Sequence, residues 1–384
     1  MEIYLDNSAT TRPSEAVVEA MLEGMRQKYY NPSALYAPAM TSEKELTRAR
    51  QAIGAALGAD EKNVILTSGG TESDNLAIFG YLQTLRSPGP ILFSAAEHAA
   101  VKNACAEAAH RFGTEAKEIP LTTEGLIDLD ALKELLTEGP SLLCVMQVCN
   151  ETGVIMPIGE ICALRDQIAP RAAIHVDGVQ GFLRVPFSMK KCAVQSYALS
   201  GHKIHGPKGV GALVVQKGHR VIPQILGGGQ QENLRSGTED VYGIMGLRAA
   251  VETYPADAET RMREIKIAFV NRLREALPET TVVGLPPEDP RSVGHILSVA
   301  FPPVRAETLL HALEGEGILV GTGSACSSKK GKHSKVLTAM KCSTAVMDGA
   351  IRVSLCPENT EEELDTAAEA IIRQVTLLRR YSRR

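Results

Sequence analysis

Three short stretches of this 384-residue chain hold side chains whose types and spacing suit chemistry, and a fourth exposes a thiol. "TSGGTESDN" (67–75) reads as a strand end, a glycine-rich turn and a helix start. Unpaired backbone N–H groups and the positive end of a helix dipole meet at such a turn and bind anions. Gly69 and Gly70 allow close backbone approach, and Thr71 adds a hydroxyl. The stretch lacks both GxGxxG and the lysine of a P-loop, which disfavours dinucleotides and nucleoside triphosphates. By itself it is equally a plain tight turn with a threonine N-cap.

"IHVDGVQ" (174–180) sets Asp177 at the C-terminal end of a buried strand, the edge where open α/β sheets bind ligands. A carboxylate there is costly without a cation, and a protonated ring nitrogen would serve. A helix N-cap is the plainer alternative. Gln180, three residues on, has the geometry to donate to a phenolic oxygen. "SGHKIHGPKG" (200–209) places Lys203 after the strand-like "SYALS" and before "GVGALVV". In an apolar setting beside His202 such an amine titrates low and becomes a nucleophile for carbonyl groups. Its rivals are a surface-loop lysine and a metal pair of His202 and His205. No carboxylate or cysteine nearby in sequence completes a ligand set, and no metal is expected. A phosphate cradle, a carboxylate for a ring nitrogen and an amine for an aldehyde are together the attachments that pyridoxal 5'-phosphate (PLP) requires.

The thiol lies in "GTGSACSSKKGKHSK" (321–335), where nothing apolar surrounds Cys326. Lys329, Lys330, Lys332 and Lys335 crowd the same run. They either favour the thiolate by raising the local potential or simply keep a loop solvated.

The elements that must position these groups are legible as short unbroken apolar runs. "NVILTS" (63–68), "ILFSA" (91–95), "SLLCVMQV" (141–148), "AAIHVD" (172–177) and "SYALS" (196–200) read as strands buried on both faces. Helical patterns lie between them: one opening on a capping box of Ser42 and Glu45 and closing at Gly58, one starting at Thr71, one closing at Gly113. The order βαβα predicts a doubly wound α/β domain with a mostly parallel sheet flanked by helices. After about residue 255 a long charged helix leads into short proline-punctuated strands. A final helix follows, capped by Thr360 and Glu363, with Leu364, Ala367, Ala368, Ile371, Ile372, Val375 and Leu378 on one stripe. The expected division is a large α/β domain over 13–255 and a smaller α+β domain formed by 1–12 and 256–384.

Bulk properties exclude other classes. Hydrophobic residues make up 44% and charged residues 22%, so a sizeable core is affordable; a net charge of -4 and a pI near 6.2 give no basic field for nucleic acid. The basic end "LLRRYSRR" reads as a solvated helix terminus. No run is long and apolar enough to span a bilayer, no signal peptide is visible, and eight cysteines with no CxxC pair suit a reducing cytoplasm. Cys144 and Cys149 sit in an apolar run and read as buried structural thiols.

"YLDNSATT", "TSGGTESDNLAI", "EHAAV", "NETGVIMPI", "HVDGVQ", "SGHKIHGPKGVGAL", "GGGQQENLRSGTED" and "GTGSACSS" follow one another as in cysteine desulfurases. The chain resembles the NifS/IscS type of that family, within the class V aminotransferases, nearly end to end. The resemblance implies the type I fold of PLP-dependent transferases and conversion of L-cysteine to L-alanine. Lys203 would anchor the cofactor and shuttle protons, and Asp177 would pair with the pyridinium. His98 would stack on the ring and act in acid–base steps, although alone it reads as a helix-start histidine. Gln180 and Asn150 would bind the ring oxygen and substrate region. Gly70, Thr71, Ser200 and His202 would hold the phosphate. Thr238 would reach the phosphate of a neighbouring subunit, which implies a homodimer; unaided, its segment is a polar loop. Arg352 would fork onto the substrate carboxylate, a structural salt bridge being its plainer role. Cys326 would take the sulfur as a persulfide and hand it to an acceptor, an iron–sulfur scaffold or a tRNA-thiolation enzyme.

The chain departs from that pattern at Tyr36, where His is common, at Cys149 and Met156, where Asn and Gln are usual, and at Cys356 in place of Gly. A selenocysteine lyase, another class V aminotransferase and a non-catalytic sulfur carrier are the alternatives. A transaminase needs no thiol, and a non-catalytic carrier would be expected to lose Lys203 or Asp177.

Overall fold

The computed structural model describes residues 2–323 and 333–381, so Cys326, Lys329, Lys330 and Lys332 lie outside the described residues. The apolar runs form a seven-stranded sheet of β2 (Val64–Thr67), β3 (Ile91–Ser94), β4 (Ala116–Ile119), β5 (Leu142–Met146), β6 (Ala173–Asp177), β7 (Ser196–Ser200) and β8 (Gly211–Val215), following β1 (Ile3–Leu5) in the chain. Their order is β2-β8-β7-β6-β5-β3-β4. The pairs β7–β6, β6–β5, β5–β3 and β3–β4 are parallel, and β8 runs antiparallel to both of its neighbours. Every residue of β5, β6, β7 and β8 is buried, because helices cover both faces.

A second sheet holds β1 with β9 (Thr281–Val282), β10 (Ile296–Ala300), β11 (Ile318–Thr322) and β12 (Ala350–Ser354), ordered β1-β11-β12-β10-β9. The stripe of the last helix, Glu361–Tyr381, packs on it: Leu364, Ala367, Ile371 and Val375 share a core with Leu5, Val299 and Ile351. The Thr360–Glu363 box closes reciprocally, each backbone N–H donating to the other's side chain at 3.2 Å.

The segment after β1 joins the two sheets. Asn7 Nδ2 donates to the Ser354 carbonyl at 3.0 Å, and Ser8 N–H donates to Ser354 Oγ at 2.9 Å. A few residues on, Thr11 Oγ1 donates to the His202 carbonyl at 3.1 Å. Residues 6–12 are therefore a seam between the ends of β12 and β7.

One cap differs from expectation. The helix Ala37–Leu57 begins before Ser42, with Pro38 in its first turn. Ser42 lies inside it and donates to the Lys28 carbonyl at 3.0 Å, while buried Glu45 meets Lys28, Arg48 and Arg248. A serine followed by a glutamate three residues later is also what one buried helix face looks like when it docks on a neighbouring segment. The stops at Gly58 and Gly113 are as expected, both glycines in the left-handed region.

Candidate active site

The C-terminal ends of β6 and β7, the start of the helix Gly70–Leu82 and the middle of β12 open onto one cavity of about 480 Å³. Gly70, Thr71, His98, Asn150, Asp177, Gln180, Ser200, His202, Lys203 and Arg352 all line it. Thr238 does not: it is exposed, on a segment away from this wall. Cys326 lies outside the described residues, but Gly323 and Lys335, from either side of it, are on the cavity wall.

Lys203 follows β7 in a single tight turn. Its Nζ donates to the carbonyls of Ser8 at 2.6 Å and Ala9 at 2.7 Å, so the seam holds the amine in place. Burial pulls this amine down to about 8, with the Arg352 and Arg184 charges pulling the same way. Backbone carbonyls offer no negative charge to offset that loss of solvation. At neutral pH a usable fraction of the group is therefore the free base.

Asp177 ends β6, and its Oδ1 accepts from Val179 N–H at 3.0 Å, which fixes the carboxylate at the turn. Behind it lie two acids that the sequence did not single out. Burial raises Asp74 and Glu97 well above the ordinary carboxyl range, and the Asp177 charge adds to the effect. Asp74 Oδ1 meets His175 Nε2 at 3.0 Å, and His175 Nδ1 meets Ser196 Oγ at 2.8 Å. Burial lowers His175 to about 4, so its ring is neutral between Asp74 and Ser196, and Asp177 faces the cavity.

The glycine turn lies where the sequence sets it, between β2 and the helix Gly70–Leu82. Gly69 adopts φ +143°, and a Cβ on Gly70 would come 2.6 Å from Val179 Cγ2. The turn after Asp177 thus packs directly on the glycine turn, with Ser200 beside it. His202 Nδ1 lies 3.1 Å from Thr10 Oγ1, and burial lowers that ring to about 4, helped by Lys203 and Lys208.

Other side chains are already engaged. His98 is exposed and caps the helix Ala99–Phe112, its Nδ1 accepting from Ala100 N–H at 3.2 Å. Gln180 Nε2 donates to Ser8 O at 2.9 Å, with His295 Nε2 at 3.3 Å from its Oε1. Arg352 is 4% exposed: it pairs with Asp6 at 2.8 Å and donates to the Asn150 carbonyl at 2.9 Å. The salt bridge and the place on the cavity wall coexist, and the buried Nε of Arg352 has no partner within the described chain.

Two further residues escaped the sequence. Arg184 donates to the Lys203 carbonyl and to Tyr254 Oη, bracing the lysine turn from behind. Glu151, inside the quoted "NETGV", lines the cavity and accepts from Ser334 Oγ at 2.5 Å. Burial raises it to about 7 against the pull of Ser334, Arg352 and Lys102. Nothing local marked it, because Arg352 lies about 200 positions downstream and only the fold sets the two on one cavity wall. Of the departures, Cys149 and Met156 are buried, and Tyr36 is exposed at a helix N-cap.

Fold and site together define an α/β protein with a lysine-centred pocket at the carboxyl edge of a doubly wound sheet. The family described as aminotransferase class-V matches residues 3–366, and the chain belongs to it. It is similar over its whole length to proteins named cysteine desulfurase: 38% identical to an IscS of Methanosarcina thermophila, covering 99% of this chain and 93% of that one. A cysteine desulfurase of Nostoc sp. is 36% identical, with 99% and 94% covered. Among solved structures, a NifS-like protein superposes with a TM-score of 0.91 at 33% identity, covering 98% of this chain and all of the other (100%). The complex of SspA with cysteine gives 0.82 at 28% identity, with 94% and 100% covered. Proteins of this family use PLP in general.

Proposed function

We propose that the protein is a PLP-dependent cysteine desulfurase that converts L-cysteine to L-alanine and leaves the sulfur on Cys326 as a persulfide. The observation that carries this reading is the Lys203 amine, pulled down to about 8 on a cavity that also presents Asp177 and Arg352. The residues present fit the cofactor: the glycine turn that a Cβ would fill, the carboxyl group of Asp177 at the end of β6, and polar atoms such as Glu97 Oε2 that are buried without a partner in the described chain.

Lys203 would hold the cofactor, and Asp177 would face its ring nitrogen. Gly70, Thr71, Ser200 and His202 would hold its phosphate. When bound, PLP draws electrons from the bonds at the substrate's Cα. Lys203, once displaced by the substrate amine, would move a proton at Cα. His98, also on the cavity wall, would stack on the ring and serve in acid–base steps. Arg352 would orient the substrate carboxylate, since a planar guanidinium matches it in a bidentate fork. Asn150 would hold the ring oxygen and substrate region together with Gln180. The Cys326 thiol attacks the substrate sulfur: the carbon–sulfur bond breaks, a sulfur–sulfur bond forms, and the carbon takes the proton to become alanine.

The same reading takes 13–255 as the cofactor domain and 1–12 with 256–384 as the smaller domain, in keeping with the two sheets. It takes a homodimer as the working form, an iron–sulfur scaffold or tRNA-thiolation enzyme as sulfur acceptor, and the cytoplasm as the compartment. The seven described cysteines are all free thiols, and no described helix is long and apolar enough to cross a membrane.

The test is to mix L-cysteine with wild type, Lys203→Ala and Cys326→Ala and to measure sulfide and alanine. Both variants should lose sulfide release, while Cys326→Ala keeps bound cofactor and its visible absorbance. Full sulfide production by Cys326→Ala would sink the persulfide route.

A further inference from the structure

One cluster of side chains lies outside this chemistry. His205, two residues past Lys203, meets Cys356 and Glu358 from the turn after β12, with one ligand atom of each within 4.8 Å of the others. We propose that His205, Cys356 and Glu358 form a binding site for a zinc-like divalent cation, with solvent as the fourth ligand.

The imidazole is prepared for this. His205 Nδ1 lies 2.9 Å from the Arg12 carbonyl, so the proton sits on Nδ1 and Nε2 presents its lone pair. The ring is 7% exposed, and Nε2 is buried without a hydrogen-bond partner among the described residues; the nearest Glu358 oxygen is 3.7 Å away. Such an orphaned nitrogen costs stability unless something ligates it. Its position is fixed as well. His205 holds a left-handed φ of 62°, and its N–H donates to Thr11 Oγ1 at 2.8 Å.

The second ligand, Cys356, stands where the resembled family usually has Gly. Its backbone N–H donates to Asn359 Oδ1 at 2.8 Å, which sets the turn and leaves the thiol beside the ring. Glu358 has a 63% exposed side chain and is free to close in. Ligands of a tetrahedral Zn²⁺ with one sulfur sit about 3.3–3.6 Å apart, so only a small inward shift is needed. Imidazole, thiolate and carboxylate together favour zinc or its neighbours over magnesium or calcium.

Binding displaces the thiol proton: the cation gains a metal–sulfur bond, and one H⁺ goes to solvent. An ion here would tie the Lys203 turn to the segment following Arg352, across the seam of residues 6–12. That explains how a ligand set invisible in "GHKIH" arises from residues some 150 positions downstream.

The experiment uses holoenzyme carrying Cys326→Ser, so that the other expected reactive thiol does not bind the probe. Zinc is titrated against a chelator of known affinity, metal content is measured after dialysis, and the thermal midpoint is followed. One zinc per chain and a raised midpoint are expected. Adding Cys356→Ser, Cys356→Gly or His205→Asn should weaken binding about tenfold or more and remove the thermal shift. Asparagine tolerates the left-handed backbone, and Cys356→Ser keeps the shape of the turn, so loss of folding does not confound the result. Zinc binding unchanged by Cys356→Ser, or no saturable binding to the Cys326→Ser protein, overturns the proposal. Neither outcome bears on desulfuration.

Discussion

Glu151 and Lys203 are displaced in opposite senses by the same cause. Each loses solvation at the cavity wall, so the acid rises to about 7 and the amine falls to about 8. For Glu151 the unfolded carboxyl titrates near 4.3. Its contribution to stability is therefore full below that pH and is lost as pH rises through about 7, where a buried charge must form. Glu151→Gln removes the penalty and keeps an acceptor for Ser334. The variant should be more stable than wild type at pH 8 by roughly 1–3 kcal/mol and indistinguishable near pH 4.5, read by urea melts at both pH values. An equal difference at the two would mean that Glu151 does not titrate as argued. For Lys203 the free base is the reactive form. Cofactor-free protein should take up pyridoxal phosphate faster as pH rises through about 8 and then level off, and a flat rate from pH 6.5 to 9.5 would contradict this.

At the scale of elements, the site depends on how closely the turn after β6 sits against its neighbours. A Cβ on Gly178 would meet Tyr197 Cζ at 1.9 Å, and Tyr197 is fully buried with its hydroxyl donating to Gln147 Oε1 at 2.6 Å. Neither the ring nor the strand beneath it has room to retreat. Gly178→Ala should cost about 3 kcal/mol, measured as a lower denaturation midpoint, and should carry Asp177 out of line. This closeness explains what was legible in the sequence. Strands buried on both faces leave unbroken apolar runs, and the chemical residues sit at their ends, so Asp177 and Lys203 were readable in place. The partners that tune them come from far along the chain. Arg352 meets Asp6, and Lys203 rests on the carbonyls of Ser8 and Ala9, contacts that no local pattern encodes. Asp74 and Glu97 were visible as letters, but only their burial in the fold raises them well above the ordinary carboxyl range. The Ser42–Glu45 pair misled because capping and helix docking use the same residue types.

At the scale of the molecule, the position of Thr238 asks for a second copy of the chain. It is exposed and off the cavity wall, on a segment held to Ile225 by the Ser236 N–H bond of 3.2 Å. Leu226 is 80% exposed next to that anchor; Met25, Tyr29, Tyr36 and Tyr242 are also exposed. Large exposed apolar side chains suit burial against a partner. If Thr238 serves the phosphate site of the neighbouring subunit, two damaged chains should repair one another. Thr238→Glu sets a carboxylate against the phosphate, and Lys203→Ala removes the anchor. In a mixed dimer, one site then carries both lesions and the other carries neither. Refolding the two inactive variants together should restore about a quarter of wild-type activity under random pairing. If Thr238 acted within its own chain, every site of the mixed dimer would carry one lesion. Mixing would then restore nothing, even though sedimentation showed a dimer, and the shared site would have to be given up.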